Sequence, residues 1–166
     1  MRSDRYSRIL VGALALALVA CMDDPTEPAT SFDAVLGVAS VPAVVLASTG
    51  SGSATCAGNG TTISCTVIYT GLTSAPTLSH IHLANAGATG TVRVNLCGAG
   101  TAPACPGTTA GTFASGAQTP IALAGQSAGA AYTQVLSAMQ AFGAYVNVHT
   151  AGNTAGEIRG QLFSVY

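Results

Sequence analysis

The sequence predicts an all-β protein, built as an antiparallel β-sandwich with one short helix. Short apolar or alternating runs recur from residue 32 to residue 163, and turns rich in Gly, Asn and Pro separate them. Only residues 132–139 show the spacing of an amphipathic helix. These patterns predict roughly seven to nine short strands around one core, as in the Greek-key sandwiches of immunoglobulins and superoxide dismutases.

The first 20 residues have the features of an export signal. Arg2, Arg5 and Arg8 precede an apolar run over residues 9–20, which is too short to span a bilayer comfortably. The run ends in the sequence LVAC at residues 18–21, which resembles the lipobox of bacterial lipoproteins.

This resemblance implies cleavage before Cys21 and attachment of lipid to its sulfur and its amine. The alternative is an ordinary signal peptide that happens to be followed by a cysteine. The same resemblance implies that Met22, where an aspartate would retain the protein, directs it to the outer membrane of a cell with two membranes. We therefore expect an exported lipoprotein, anchored in the outer membrane and facing the periplasm or the cell surface.

Residues 21–31 carry the lipid anchor and a flexible tether. Residues 23–30 are acidic and rich in Pro, and they have no large apolar side chain to bury. The remaining residues 32–166, about 135 in number, suit one domain with one hydrophobic core.

Charged residues are scarce after Cys21. Only Arg93 and Arg159 are basic, so the chain lacks the positive surface that nucleic acids require. The same scarcity excludes binding to anionic lipid by charge, and no second apolar run has the length of a membrane span. The lipid on Cys21 is therefore the expected link to the membrane.

Four cysteines follow Cys21. An even number in an exported chain predicts two disulfides, with three pairings open. We favour the sequence-local pairs, Cys56–Cys65 and Cys97–Cys105, each closing a loop rich in Gly, Pro or Asn. A zinc site of four thiolates is the alternative, although no Cys-x-x-Cys pair is present.

In the first half of the domain, residues 32–39 and 41–46 are apolar runs, and Pro42 confines the second to an edge or a bend. Residues 51–70 are predicted to form a hairpin with its turn at residues 57–60. In its second half Ile63, Cys65, Val67 and Tyr69 alternate with Ser and Thr, except at Ile68.

In the second half, strands are predicted at residues 78–83, 91–96, 111–114 and 120–123, with Arg93 pointing outward. The helix presents an apolar stripe and is expected to stop at Gly143. Two final strands complete the chain. Their inward residues are expected to be Val146, Val148, Ile158 and Leu162.

Strand periodicity gathers the polar side chains on one face. His80 and His82 share a face, as do Asn147 and His149, since residues two apart in a strand project to the same side. The same rule predicts that Glu157, Arg159 and Gln161 share one face of the last strand. All of these are expected on the polar face, outside the sandwich interior.

Several of these segments resemble the chordin-type (CHRD) domain. They are SHIH at residues 79–82, GTVRV at 90–94, the helix, AYVNVHT at 144–150 and GEIRGQ at 156–161. The resemblance covers roughly residues 32–163 and implies a β-sandwich found in extracellular proteins, including an animal growth-factor antagonist and bacterial secreted proteins. One departure is the sequence LANAGA at residues 83–88, where many members have a loop containing Gly-Pro.

The polar face allows two interpretations. His80, His82 and His149 form a plausible ligand set for zinc or copper, with Glu157 as a fourth ligand or an orienting partner. Alternatively, these residues form a hydrogen-bonded network with Asn147, in which Glu157 pairs with Arg159 or Arg93. In the second case no cofactor is expected, and Arg159→Ala should reduce stability rather than a specific activity.

For the whole protein, we expect a binding or structural module of the cell envelope with a protein partner that the sequence does not identify. A metal-binding protein is the second hypothesis. A hydrolase is the least favoured and no catalytic residue is assigned, because few acids are available for a triad.

Overall fold

The computed structural model describes residues 30–43, 45 and 47–166. The predicted signal peptide, Cys21 and nearly all of the tether lie outside the described residues. The described part contains nine strands and one α-helix. Their bounds are β1 Ser31–Gly37, β2 Ser51–Gly58, β3 Ile63–Thr70, β4 Pro76–Leu83, β5 Thr91–Cys97, β6 Gly111–Ala114, α1 Ala128–Gln140, β7 Ala144–Thr150, β8 Ile158–Gln161 and β9 Phe163–Val165.

All nine strands belong to one antiparallel sheet, which confirms the predicted fold class. The strand order is β5-β4-β7-β8-β1-β2-β3-β6, and β9 pairs with β1. The sheet folds over as a nearly closed sandwich around a single apolar core. Strands β4, β7 and β8 are neighbours near one end of this order, so residues distant in sequence meet there.

The hairpin of β2 and β3 forms as the alternation predicts. Every second residue of β3 is buried, from Ile63 to Tyr69, and Ile68 is exposed. Cys56 and Cys65 face each other across the hairpin and are joined by a disulfide. The second disulfide joins Cys97 to Cys105, so the sequence-local pairing is confirmed and the four-thiolate zinc site is wrong.

Two predicted strands are not observed in the described residues. After β1 a 3-10 turn, Val38–Ser40, ends the extended run, and the described residues among 41–46 form no strand; Val44 and Leu46 lie outside the description. Residues 120–123 also form no strand, since their backbone bonds β5 at one point, from Ile121 N–H to the Arg93 carbonyl.

Helix α1 buries the apolar stripe that its spacing predicts. Ser127 caps its N-terminus by accepting from the Ala130 N–H, and Tyr132, Val135 and Met139 are buried. Its end differs by one residue from the prediction, because Phe142, at φ 57°, takes the left-handed position.

Tyr132 links the helix to the hairpin turn of β2 and β3. Its hydroxyl accepts the Gly60 N–H at 2.8 Å. We expect Tyr132→Phe to lower the free energy of unfolding by about 1 kcal/mol, since one partly buried hydrogen bond is lost with little change in packing. Urea denaturation measures the difference. Tyr166→Phe, at a residue 77% exposed, is the matched control and should leave stability unchanged; equal stability of both variants would contradict the prediction.

Helices of the described residues are too short or too polar to cross a membrane.

Candidate metal centre

The three histidines come from two neighbouring strands, His80 and His82 from β4 and His149 from β7, and they lie on one face of the sheet. His80 is paired with Asn147 and His82 with Tyr145 across β4 and β7. The opposite face holds the aliphatic set, whose members Ile81, Val146, Val148 and Ile158 are fully buried. The predicted sorting of side chains between the two faces is therefore correct for the histidines.

The polar face is not exposed, however, which corrects the expectation that it lies outside. His80, His82 and His149 are only 7%, 8% and 8% exposed. Two loops cover them: residues 84–90 and residues 151–157. Alternation along a strand reports which side a residue faces, but it does not report whether a loop folds over that side.

Side chains of the polar face hold these two loops in place through backbone groups. Arg159 Nη1 donates to the Ala88 carbonyl at 2.8 Å, and the Tyr145 hydroxyl accepts the Gly90 N–H at 3.1 Å. On the other side Asn147 donates to the Ala155 carbonyl at 3.1 Å. The polar network expected of Asn147 and Arg159 thus exists, and its partners are loop carbonyls.

The imidazoles of His80, His82 and His149 converge. One ring nitrogen from each lies within 4.8 Å of the other two. His80 Nδ1 is 3.4 Å from His149 Nε2, and the ring centroids are 5.2–6.0 Å apart. No cysteine, aspartate or glutamate of the described residues joins this group.

Backbone carbonyls fix the tautomers of two of these histidines. His82 Nδ1 is 2.9 Å from the Gly90 oxygen, and His149 Nδ1 is 2.9 Å from the Thr154 oxygen. A carbonyl only accepts, so each Nδ1 must carry the proton, and each Nε2 of the neutral rings has a lone pair. The His149 Nε2 lies at hydrogen-bonding distance from His80 Nδ1, whereas the His82 Nε2 has no partner. Metal-ligating histidines show this outer contact almost always.

The Nε2 atom of His82 is buried and has no hydrogen-bond partner. A buried polar atom without a partner costs about 1–3 kcal/mol, so such an atom calls for an explanation. A metal ion bound by the three imidazoles would satisfy this lone pair.

The environment of the three rings favours their neutral form. Burial, together with the neighbouring His149 and His82, lowers the pKa of His80 to about 4. Burial also lowers the pKa of His149 below its ordinary value, against the hydrogen bond to Thr154. Neutral imidazoles are therefore present at pH 7, and neutral imidazole is the form that binds metal.

Imidazole nitrogens are suitable ligands for zinc and copper, and the spacing of the three nitrogens is slightly wider than one ion requires. Zinc–nitrogen bonds are about 2.0–2.1 Å long, so nitrogens sharing one ion lie no more than about 4.2 Å apart. The widest separation allowed here, 4.8 Å, requires the rings to approach by something on the order of 1 Å. Three imidazoles also leave a coordination position without a protein ligand.

Two further side chains extend the cluster in a stack. The rings of His82 and Tyr145 are parallel within 6° with centroids 4.9 Å apart. The Arg159 guanidinium carbon lies 3.3 Å from the centre of the Tyr145 ring. Tyr145 was not predicted as a site residue, although its position two residues before Asn147 places it on the same face.

We expect Arg159→Ala to destabilise the protein by about 2 kcal/mol, because it removes a cation–π contact and the hydrogen bonds to the loop at residues 84–90. Thermal or urea unfolding of the variant measures the loss. An unchanged unfolding curve would contradict the prediction.

Glu157 is placed away from the histidines, which contradicts its proposed role as a fourth ligand. Ile158 pairs with Val148 in the ladder between β7 and β8. The N–H of the preceding residue, Glu157, also bonds Val148, by donating to its carbonyl oxygen. Two residues thus oppose one, as in a β-bulge, directly after Gly156 at φ 120°. The strict alternation fails here, and Glu157 turns toward Thr150 on the core side.

The Glu157 carboxylate is fully buried and accepts five hydrogen bonds. The donors are the Ser48 hydroxyl, the Thr73 N–H and hydroxyl, the Thr150 hydroxyl and the Asn153 amide. Burial alone would raise the pKa of Glu157, but the hydrogen bonds from Ser48, Thr150 and Thr73 outweigh it and lower this pKa to about 2. These hydroxyl and amide donors take the place of the arginine partner that was expected.

Arg93 is also placed differently from the prediction. It is 2% exposed rather than outward in water, because residues 121–126 and α1 pack over that face of β5. Its guanidinium donates to the Ile121 carbonyl and to the side-chain oxygens of Gln126 and Gln134. It belongs to the packing of the helix, not to the histidine cluster.

A comparison with protein-family models identifies the relationship of the chain. The CHRD domain model matches residues 32–162, nearly all of the described part. Searches of the curated proteins and of the solved structures gave no match. Since the family model covers well over half of the sequence, the chain belongs to the CHRD-domain family.

Proposed function

We propose that this chain is an exported, lipid-anchored CHRD-domain protein that binds a zinc or copper ion through His80, His82 and His149. The observation that carries the proposal is the buried, unpartnered Nε2 of His82, whose ring converges with the other two imidazoles. Carbonyl contacts at the Nδ1 atoms of His82 and His149 support it, because they place the proton on Nδ1 and a lone pair on each Nε2.

The chain's own residues would prepare this site before metal arrives. Gly90 and Thr154 set the two tautomers, and Tyr145 holds the His82 ring by stacking. Burial keeps the rings neutral, so little proton release accompanies binding at pH 7. When bound, the ion supplies a Lewis acid beneath the loops at residues 84–90 and 151–157.

Metal content tests the proposal directly. The full-length chain, purified in detergent without a polyhistidine tag, is equilibrated with equimolar zinc or copper(II), dialysed and analysed by elemental mass spectrometry. We expect one ion per chain in the wild type. His82→Ala should lose at least about a hundredfold in affinity, since one of three ligands disappears.

Gln118→Ala is the matched control. It removes a buried hydrogen-bonding side chain that contacts Ser115 and Thr101, so it perturbs packing outside the histidine cluster. It should keep the wild-type stoichiometry. Absence of bound metal in the wild type, or equal affinity in His82→Ala, would refute the metal site.

The membrane anchor rests on the sequence at residues 1–21 and has its own test. Metabolic labelling with a radioactive fatty acid should label the wild type, and Cys21→Ser should abolish the label. A labelled Cys21→Ser chain would contradict lipid attachment at this residue.

A second candidate function, a binding module of the envelope, is supported by an apolar outer face. Val35 is 76% exposed and Ile68 is 53% exposed, and both flank Ser53 in the register of β1, β2 and β3. Phe163 and Val165 of β9 continue this face beside β1.

Chemical cross-linking in cell envelopes tests this binding function. We expect the wild type to form an adduct with a partner, and we expect a Val35→Ser, Ile68→Ser double variant to lose that adduct. An adduct that persists in the double variant would argue against this face.

A further inference from the structure

We infer that the metal-loaded site binds a small anion at its open coordination position, and that Arg159 attracts this anion. The inference rests on the proposed metal site and adds a ligand class to it. Its basis is the distribution of charge around the three imidazoles, together with the contacts of Arg159 and Asn147.

The protein ligands bring no negative charge to the ion. Three neutral imidazoles form the ligand group, and no carboxylate or thiolate of the described residues belongs to it. Glu157 directs both oxygens to hydroxyl and amide donors on the core side. A divalent ion would therefore keep its full charge in a largely buried site, which is unfavourable unless an anion binds with it.

Arg159 adds a second positive charge next to the site. Its contacts are the Tyr145 ring and the carbonyl oxygens of Ala88 and Asn85, none of which neutralises it. Tyr145 in turn stacks on His82, so the guanidinium lies one aromatic ring away from a ligand.

An acceptor for a protonated anion is also available on this face. Asn147 Oδ1 is buried beside Gly156 without a hydrogen-bond partner, at the strand position that pairs with His80 and two residues from His149. A hydroxide could donate its proton to this oxygen. The anions expected are therefore small and monovalent, with hydroxide bound in plain buffer and exchangeable for others, since the histidines are not sealed completely from solvent.

The probe is azide, added to full-length protein that carries one equivalent of copper(II). We expect a new azide-to-copper charge-transfer band that saturates with one azide per copper. If the chain binds no copper, the proposed metal site itself fails. If copper binds and saturating azide changes neither the absorption nor the electron paramagnetic resonance spectrum, the metal site stands and the anion inference is overturned.

Two buried arginines provide a matched pair of variants. Arg159→Met should weaken azide binding by about tenfold or more, whereas Arg93→Met should leave it unchanged, since Arg93 bonds the region around α1. Arg159→Lys keeps the positive charge and should bind azide almost as tightly as the wild type. This variant tests the role of the charge even if Arg159→Met folds poorly. Equal azide affinity in the wild type, Arg159→Met and Arg159→Lys would overturn the role of Arg159.

Discussion

Glu157→Ala is expected to lower the free energy of unfolding by about 4 kcal/mol. The substitution removes a fully buried acceptor and leaves the donors on Ser48, Thr73, Thr150 and Asn153 without it. Each buried donor that loses its partner costs about 1–3 kcal/mol, and partial relaxation reduces the sum. Urea denaturation at pH 7 measures the difference in unfolding free energy.

Asp33→Ala is the matched control, since Asp33 is a partly exposed carboxylate on β1. It should change stability by less than about 0.5 kcal/mol. A loss in Glu157→Ala no larger than that of the control would show that the carboxylate cluster does not stabilise the fold.

Glu157 also gives the stability a defined acid dependence. Its pKa is lowered to about 2, so the stabilisation is fully present above the ordinary value near 4.5 and is lost as the pH falls toward 2. The lowered pKa corresponds to roughly 3 kcal/mol. Glu157→Gln should therefore flatten the stability curve between pH 4.5 and pH 2 relative to the wild type.

Metal loading is expected to produce the second large effect. An ion that binds only the folded state stabilises it by about 4 kcal/mol when the free metal is a thousandfold above its Kd. For a domain of this size, we expect the midpoint of thermal unfolding to rise by roughly 10 °C or more. Addition of a chelator should reverse the shift.

The control for this measurement is His82→Ala under the same metal concentrations. Its midpoint should rise much less than that of the wild type, because a hundredfold loss of affinity leaves at most about 1.4 kcal/mol of stabilisation at the same metal concentration. Equal stabilisation of the wild type and of His82→Ala would show that the metal acts elsewhere on the chain.

Residue periodicity correctly predicted the hairpin of β2 and β3 and the helix α1, whose main contacts are between residues close in sequence. The alternation from Ile63 to Tyr69 matches the burial of β3, and the hairpin disulfide follows from the short loop between Cys56 and Cys65. The helical spacing at Tyr132, Val135 and Met139 likewise identifies the buried stripe of α1. In these cases the periodicity and the packing depend on the same few residues.

The candidate site was predicted in part, because its members come from strands that meet through long-range pairing. Alternation correctly grouped His80, His82 and His149 on one face, but it could not show that loops bury that face. The failures have specific causes. Gly156 and the bulge turn Glu157 to the core side, and residues 121–126 cover Arg93.

The site combines features that are costly for a purely structural network. A hydrogen-bonded cluster would be expected to satisfy its buried nitrogens, yet His82 Nε2 has no partner, and Asn147 Oδ1 has none either. The His82 ring converges with the other two imidazoles, and the Asn147 amide lies beside Gly156 at the ladder position of His80. The unpartnered nitrogen of His82 favours a ligand among the imidazoles over a network that is complete by itself.

Anomalous diffraction from crystals of the zinc- or copper-loaded protein tests the three-histidine site most directly. We expect a single peak at the metal absorption edge, about 2.0–2.1 Å from Nε2 of His82, Nε2 of His149 and one ring nitrogen of His80. A peak bound elsewhere on the chain, or a fully loaded crystal in which the three imidazoles contact no metal, would contradict it.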